Sequence, residues 1–148
     1  LWKLRRFVGM ISALILSTPL NVATVIFSEN VSLGTVTVIA GYVTIAACGI
    51  LYDIILSRIR NSISSYGRFL AYTGLFWTST FPFQQYLIEL IVCNIFEQPL
   101  TQFNLQYMVF GMVFGLGFGL LFSIIYVRLF AYFMLKDSRE PKTVKRSK

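Results

Sequence analysis

Two stretches of the chain carry side chains able to hold a polar ligand: "LSTPLNVATVIFS" (Leu16 to Ser28) and "TSTFPFQQYLIEL" (Thr78 to Leu90). In the first, Ser17, Asn21, Thr24 and Ser28 recur at i, i+4, i+7 and i+11, an interval that lines residues along one face of a helix. In the second, Thr78, Gln85 and Glu89 recur at i, i+7 and i+11, again on one face. Hydroxyls and carboxamides so arranged exchange hydrogen bonds, but they form neither an acid–base pair nor an activated nucleophile. The chemistry expected is recognition of a polar headgroup or solute in a groove between the two helices. Each stretch also contains a proline, Pro19 or Pro82, which frees a carbonyl one turn earlier that lipid cannot satisfy. The competing expectation is therefore a pair of packed kinks whose polar neighbours glue helices together.

The elements that position these residues must be membrane helices. The chain has 148 residues, 56% hydrophobic and 13% charged, against roughly 25% charged in soluble domains, and its mean hydropathy is +0.70. Histidine is absent and there are two cysteines, which excludes the usual haem and zinc ligand sets. No acidic pair of defined spacing and no glycine-rich phosphate loop occurs, so no enzyme activity, cofactor or metal is expected. Although "LWKLRRF" precedes an apolar run, that run is long enough to span, and no small-residue cleavage site marks it as a signal peptide.

Four stretches suffice to cross a hydrocarbon core, which takes roughly 20 residues: Phe7 to Phe27, Leu33 to Leu56, Phe69 to Cys93 and Leu105 to Met134. The fold class expected is all-α, a polytopic membrane protein of four transmembrane helices in one domain, residues 1–136, with a basic tail, residues 137–148. The excess length of the fourth stretch predicts that "VRLFAYFMLK" emerges along the membrane surface or tilts within it. Lys3, Arg5 and Arg6 precede the first span; Arg58, Arg60 and Arg68 lie between the second and third; Arg128 and a run of basic residues end the fourth. The other two connections hold only Glu29 and Glu97, so both termini and the central loop are expected on the cytoplasmic side or its equivalent. The formal net charge of +7 reads as topology and inner-leaflet anchoring rather than nucleic-acid binding. The location expected is an integral multi-pass protein of the cell membrane or an organelle inner membrane.

The ends of the even spans, "GILYDIILSRI" (Gly49 to Ile59) and "GLLFSIIYVRL" (Gly119 to Leu129), align without a gap. The odd spans echo one another through "KLRRFVG" and "RFLAYTG", predicting a tandem repeat of two helical hairpins. Asp53 is expected to pair with Arg58 at a helix end, or to assist phosphate binding through it. Glu89 is expected near the outer boundary, as an interface anchor or a member of the groove. Gly111, Gly115 and Gly119 form two overlapping GxxxG spacings on which a helix of this chain, a second copy or another membrane partner can pack. Cys48 and Cys93 fall at different depths and are expected to remain unpaired.

"RFVGMISALI" (Arg6 to Ile15) resembles the opening of GtrA-like membrane proteins, and "RFLAYTG" (Arg68 to Gly74) is similar to that family's second such opening. "LSR" (Leu56 to Arg58) and "YVRLFAYF" (Tyr126 to Phe133) resemble its helix closures. The resemblance implies movement of polyprenyl-phosphate-linked sugars across the membrane for cell-envelope glycans, beside a glycosyltransferase. In that reading Arg6, Arg58, Arg68 and Arg128 gather near the inner face to attract phosphate while the polar stripes pass the sugar. Small four-span alanine exporters are similar in length, and their Gly-x-x-x-Asp resembles Gly49 with Asp53. A third expectation, of a different class, is a non-catalytic accessory subunit of a larger membrane complex.

Overall fold

A computed structural model describes residues 7–100 and 104–139, with side chains in the last helix through Tyr132. Lys3, Arg5, Arg6 and the basic tail lie outside the described residues. Among the described residues the chain is helical throughout: α1 (Val8–Phe27), α2 (Val31–Ile59), one 3₁₀ turn (Arg60–Ser62), α3 (Tyr66–Phe96) and α4 (Leu105–Arg139). Each helix packs antiparallel against the next, and α1 also meets α4, so the four close into a bundle.

Capping explains where these helices begin. α2 starts at Val31 rather than at Leu33 because the Asn30 side chain accepts from the Ser32 and Leu33 amides, at 3.0 and 3.2 Å. α3 starts at Tyr66 because Ser65 Oγ accepts from the Arg68 amide, and Asn104 Oδ1 caps α4 through the Tyr107 amide at 2.9 Å. At the far end of α3, Glu97 adopts a left-handed conformation, φ 51°, and the chain leaves the helix there. α4 runs unbroken to Arg139.

Three of the helices, α1, α2 and α4, are long and apolar enough to cross a membrane. α3 differs because it carries the hydroxyls and amides between Thr73 and Glu89. Thr73 and Gln84 are buried inside the bundle and Thr80 and Gln85 half-buried, while the exposed Ser79 hydroxyl donates to the Leu75 carbonyl.

The packed core lies towards the end of the bundle at which α1 begins. Tyr52, Trp77 and Phe122 are fully buried there, and Phe76, Phe81 and Phe118 nearly so. Tyr52 stacks or meets edge-on with Tyr72, Phe76, Trp77, Phe122 and Tyr126, with ring centroids 4.9–6.5 Å apart. Thr73 donates to the Phe69 carbonyl, which leaves its oxygen to accept from the Tyr52 hydroxyl at 2.8 Å.

Glycines set the helix spacing at this end. A methyl on Gly49 would lie 2.6 Å from Met10 Cα, so α2 approaches α1 backbone to backbone. A methyl on Gly119, the residue aligned with Gly49, would lie 3.2 Å from Gly74 Cα, and Gly74 is aligned with Gly9. The remaining glycines of the α4 ridge also face α3 of the same chain: Gly115 against Trp77 and Thr78, Gly111 against Pro82.

Candidate functional site

Towards the other end α2 and α3 still pack through Ala40, Ile88 and Val92, but the space between α1 and α4 is open. A groove of about 680 Å³ runs between the helices, walled by Ser17, Leu20, Asn21, Ala23, Thr24 and Phe27 of α1 and by Tyr107, Phe110, Gly111 and Phe114 of α4. Thr37 and Gly41 of α2 and Gln85 and Ile88 of α3 form its back, while Ile45, Phe81 and Phe118 form a floor that belongs to the packed core. The groove exists because α1 and α4 make the least extensive of the four side-by-side contacts.

Four of the residues expected to line a groove do so: Ser17, Asn21, Thr24 and Gln85. Their polar atoms differ in availability. Ser17 Oγ donates to the Leu14 carbonyl at 3.1 Å and Thr24 Oγ1 to the Leu20 carbonyl at 2.9 Å, the backward bonding that satisfies a hydroxyl on its own helix. Asn21 is different. Its Oδ1 nestles against Gly41, where a methyl would lie 3.2 Å away, and its Nδ2 is buried with no hydrogen-bond partner. A buried amide donor left unpaired costs about 1–3 kcal/mol, and this one is covered, on a residue whose other atoms line the groove.

The other expected residues are placed elsewhere. Ser28 turns into the α1–α2 connection, donating to the Asn30 carbonyl. Thr78 leaves the groove because Phe81 and Phe118 close the interior at that level; it lines a trough on the outside of α3 and α4, and its Oγ1 is buried without a partner. Glu89 is half-buried beside Tyr107, which does line the groove. Arg58, Arg68 and Arg128 are exposed at the opposite end, away from the groove, and Arg6 lies outside the described residues.

Asp53 requires a correction. Its carboxylate does not turn along α2 to Arg58, which sits about 140° round the helix, but crosses to α1. Both oxygens accept from the Gly9 amide, at 2.9 Å each, and Oδ2 also accepts from the Met10 amide at 3.3 Å. The physical reason is that α1 begins at Val8 with no side-chain cap of its own. Its first-turn amides have no partner within the helix, and a carboxylate opposes the positive end of the helix. Gly9 makes the approach possible, since a methyl there would lie 2.6 Å from Asp53 Oδ1. In the second hairpin the aligned residue is Ser123, which bonds back to the Gly119 carbonyl at 2.8 Å. No carboxylate is needed there, because α3 starts at Tyr66, two turns before Gly74, and the Gly74 amide is already inside the helix.

The prolines also differ in setting. Pro82 is fully buried against Gly111. Pro19 is exposed, and every buried residue of α1, namely Val8, Gly9, Ser12, Ala13 and Ser17, precedes it. The hydroxyls beside each proline bond to carbonyls of their own helix: Thr18 to Leu14, Ser79 to Leu75 and Thr80 to Phe76, at 2.8–2.9 Å. They therefore serve the helices rather than a ligand, and Asn21 and Gln85 remain as the groove's amides.

Among the described residues no group of three or more Cys, Asp or Glu is placed to hold a metal ion, and Cys48 and Cys93 are free thiols. No family model, curated protein or solved structure matches the chain. The resemblance to GtrA-like proteins thus rests on the quoted residues alone.

Proposed function

We propose that this chain is a small membrane carrier, with the groove as the site of an amphipathic ligand of the polyprenyl-phosphate-linked sugar class. The observation that carries the reading is the unpaired Nδ2 of Asn21 on a wall otherwise built largely from apolar side chains. Turned towards the groove, the Asn21 amide gives that donor to acceptor oxygens on a ligand's head, while a hydrocarbon tail suits Leu20, Phe27, Phe110 and Phe114. In this reading α3 is the fourth span: its 31 residues cover about 46 Å, and burial in the bundle replaces overall apolarity. Arg58, Arg60, Arg68 and Arg128 lie at the cytoplasmic end, and Glu29 and Glu97 mark the outer connections. The groove then opens in the outer half, and the cytoplasmic arginines attract the phosphate before translocation.

Transport into proteoliposomes tests the proposal, with a fluorescent short-chain polyprenyl-phosphate-linked sugar as probe. The wild-type chain is expected to move it, and Asn21→Leu combined with Gln85→Leu is expected to abolish movement at unchanged protein yield. Equal transport by the double variant contradicts the proposal.

A second reading, an accessory subunit of a larger membrane assembly, is favoured by the trough of about 400 Å³ between Leu70, Gly74, Thr78, Leu116 and Leu120 on the outside of the bundle. A partner helix laid there would cover the exposed Leu75, Leu116 and Leu120 side chains. Recovery of the chain only with foreign subunits after mild extraction supports this reading over the carrier.

A further inference from the structure

We propose that the groove is loaded sideways from the bilayer, through a gate formed by the part of α1 beyond Pro19. This rests on the groove being the ligand site, and it narrows the ligand to one that can approach from lipid: a flexible hydrocarbon tail bearing an acceptor-rich head.

The argument begins with the division of α1 at Pro19. Before it, the helix is fixed: Asp53 holds the first-turn amides, Gly49 meets the backbone at Met10, and Ala13 enters the aromatic core. Beyond it, Leu20 is 60% and Ile26 69% exposed, and Phe27 84%. The proline removes the amide that would bond the Ile15 carbonyl, so the two parts are joined without the hydrogen bond that resists bending and twisting. On α2 the outer part touches glycines, Gly41 beneath Asn21 and Gly34 beneath Ser28, which offer no side chain to interlock with it. The least extensive helix contact of the bundle is the one between α1 and α4. Leu20 and Phe27 on one rim and Phe110 and Phe114 on the other are all exposed apolar groups, the lining expected of an opening into lipid.

Rolling of residues 20–27 over the two glycines, about a line from Pro19 to the Ser28–Asn30 turn, therefore widens the α1–α4 seam without disturbing the core. Pro82 provides the internal contrast. It sits in an equivalent setting of hydroxyls and amides, but its ring is pressed against Gly111 and it cannot act as a pivot.

Distance measurement between spin labels tests the gate without requiring transport. Labels are placed at Ile26→Cys and Leu105→Cys, in a chain with Cys48 and Cys93 replaced by Ala and reconstituted in lipid nanodiscs. A reference pair uses Ile39→Cys with Leu105→Cys. The seam pair is expected to show two populations, the longer one lost in Pro19→Ala, while the reference pair shows one population in both backgrounds. Decaprenyl phosphate added to the nanodiscs is expected to change the proportion of the two seam populations. A single narrow seam population, or two that persist in Pro19→Ala, overturns the gate; two populations that ignore decaprenyl phosphate overturn loading by lipid. Binding of decaprenyl phosphate that depends on Asn21, with an immobile seam, would leave the groove assignment standing and remove only the gate, whereas no binding at all removes the groove assignment itself.

Discussion

Towards the end where α1 begins, Tyr52, Trp77 and Phe122 are sealed by one another, and glycine crossings bring backbones into contact. Towards the other end the same four helices leave a groove of about 680 Å³, an unpaired amide and a rim of exposed rings. The difference is made by a few residue choices. Gly9, Gly49, Gly74 and Gly119 let the helices touch at one end, and large rings fill what space remains. In the open half Gly111 and Gly115 still hold α4 against α3, but α1 meets α4 with Leu20, Thr24 and Phe27, which face the groove instead of crossing it. Unpaired buried polar atoms occur in both halves, Tyr72 Oη and Trp77 Nε1 in the aromatic core and Asn21 Nδ2 in the open half, but only the open half sets such a group on a residue lining the groove.

Substitutions can break this comparison, and the largest effects belong to the sealed half. Trp77→Ala removes the ring with contacts to Tyr52, Phe76, Phe118 and Phe122, and is expected to cost about 3–5 kcal/mol, measured by thermal unfolding in detergent. Gly49→Val drives a side chain into the Met10 backbone and is expected to cost about 3 kcal/mol. Asp53→Leu strips the acceptor from the Gly9 and Met10 amides, for a loss of about 2 kcal/mol. Asp53→Asn, which keeps one acceptor oxygen, is expected to lose less, and equal losses would show that capping is not the role of Asp53.

In the open half the expectation changes sign. Asn21→Leu should shift stability by less than about 0.5 kcal/mol or raise it, because it removes an unpaired buried donor, while weakening decaprenyl phosphate binding. A loss comparable to that of Trp77→Ala would mean that Asn21 serves the fold and not a ligand. The smallest effect is expected at the turn outside both halves: Glu97→Gly relieves a left-handed φ and should stabilise by about 0.5–1 kcal/mol.

Much of the fold is legible in the residues themselves. The apolar runs locate four helices, and helix-period spacing puts Ser17, Asn21, Thr24 and Gln85 around one space. Two features escape that reasoning. Periodicity reports which face a residue occupies but not what opposes it, so Thr78 shares a face with Gln85 yet meets a level that Phe81 and Phe118 have already filled. Asp53 next to Arg58 in sequence suggests a local pair, whereas its partner is the start of a helix 43 and 44 residues away. A signal for that contact was present: Gly9 and Gly49 align with Gly74 and Gly119, and only the hairpin whose first helix starts just before the glycine carries a carboxylate.

The most direct test of the division into a sealed and an open half is thiol accessibility in proteoliposomes, with Cys48 and Cys93 replaced by Ala. A cysteine at Gln85 is expected to react with a membrane-impermeant maleimide and to be protected by decaprenyl phosphate, while one at Thr73 stays inert. An inert cysteine at Gln85, or one that reacts with no protection, would contradict the account.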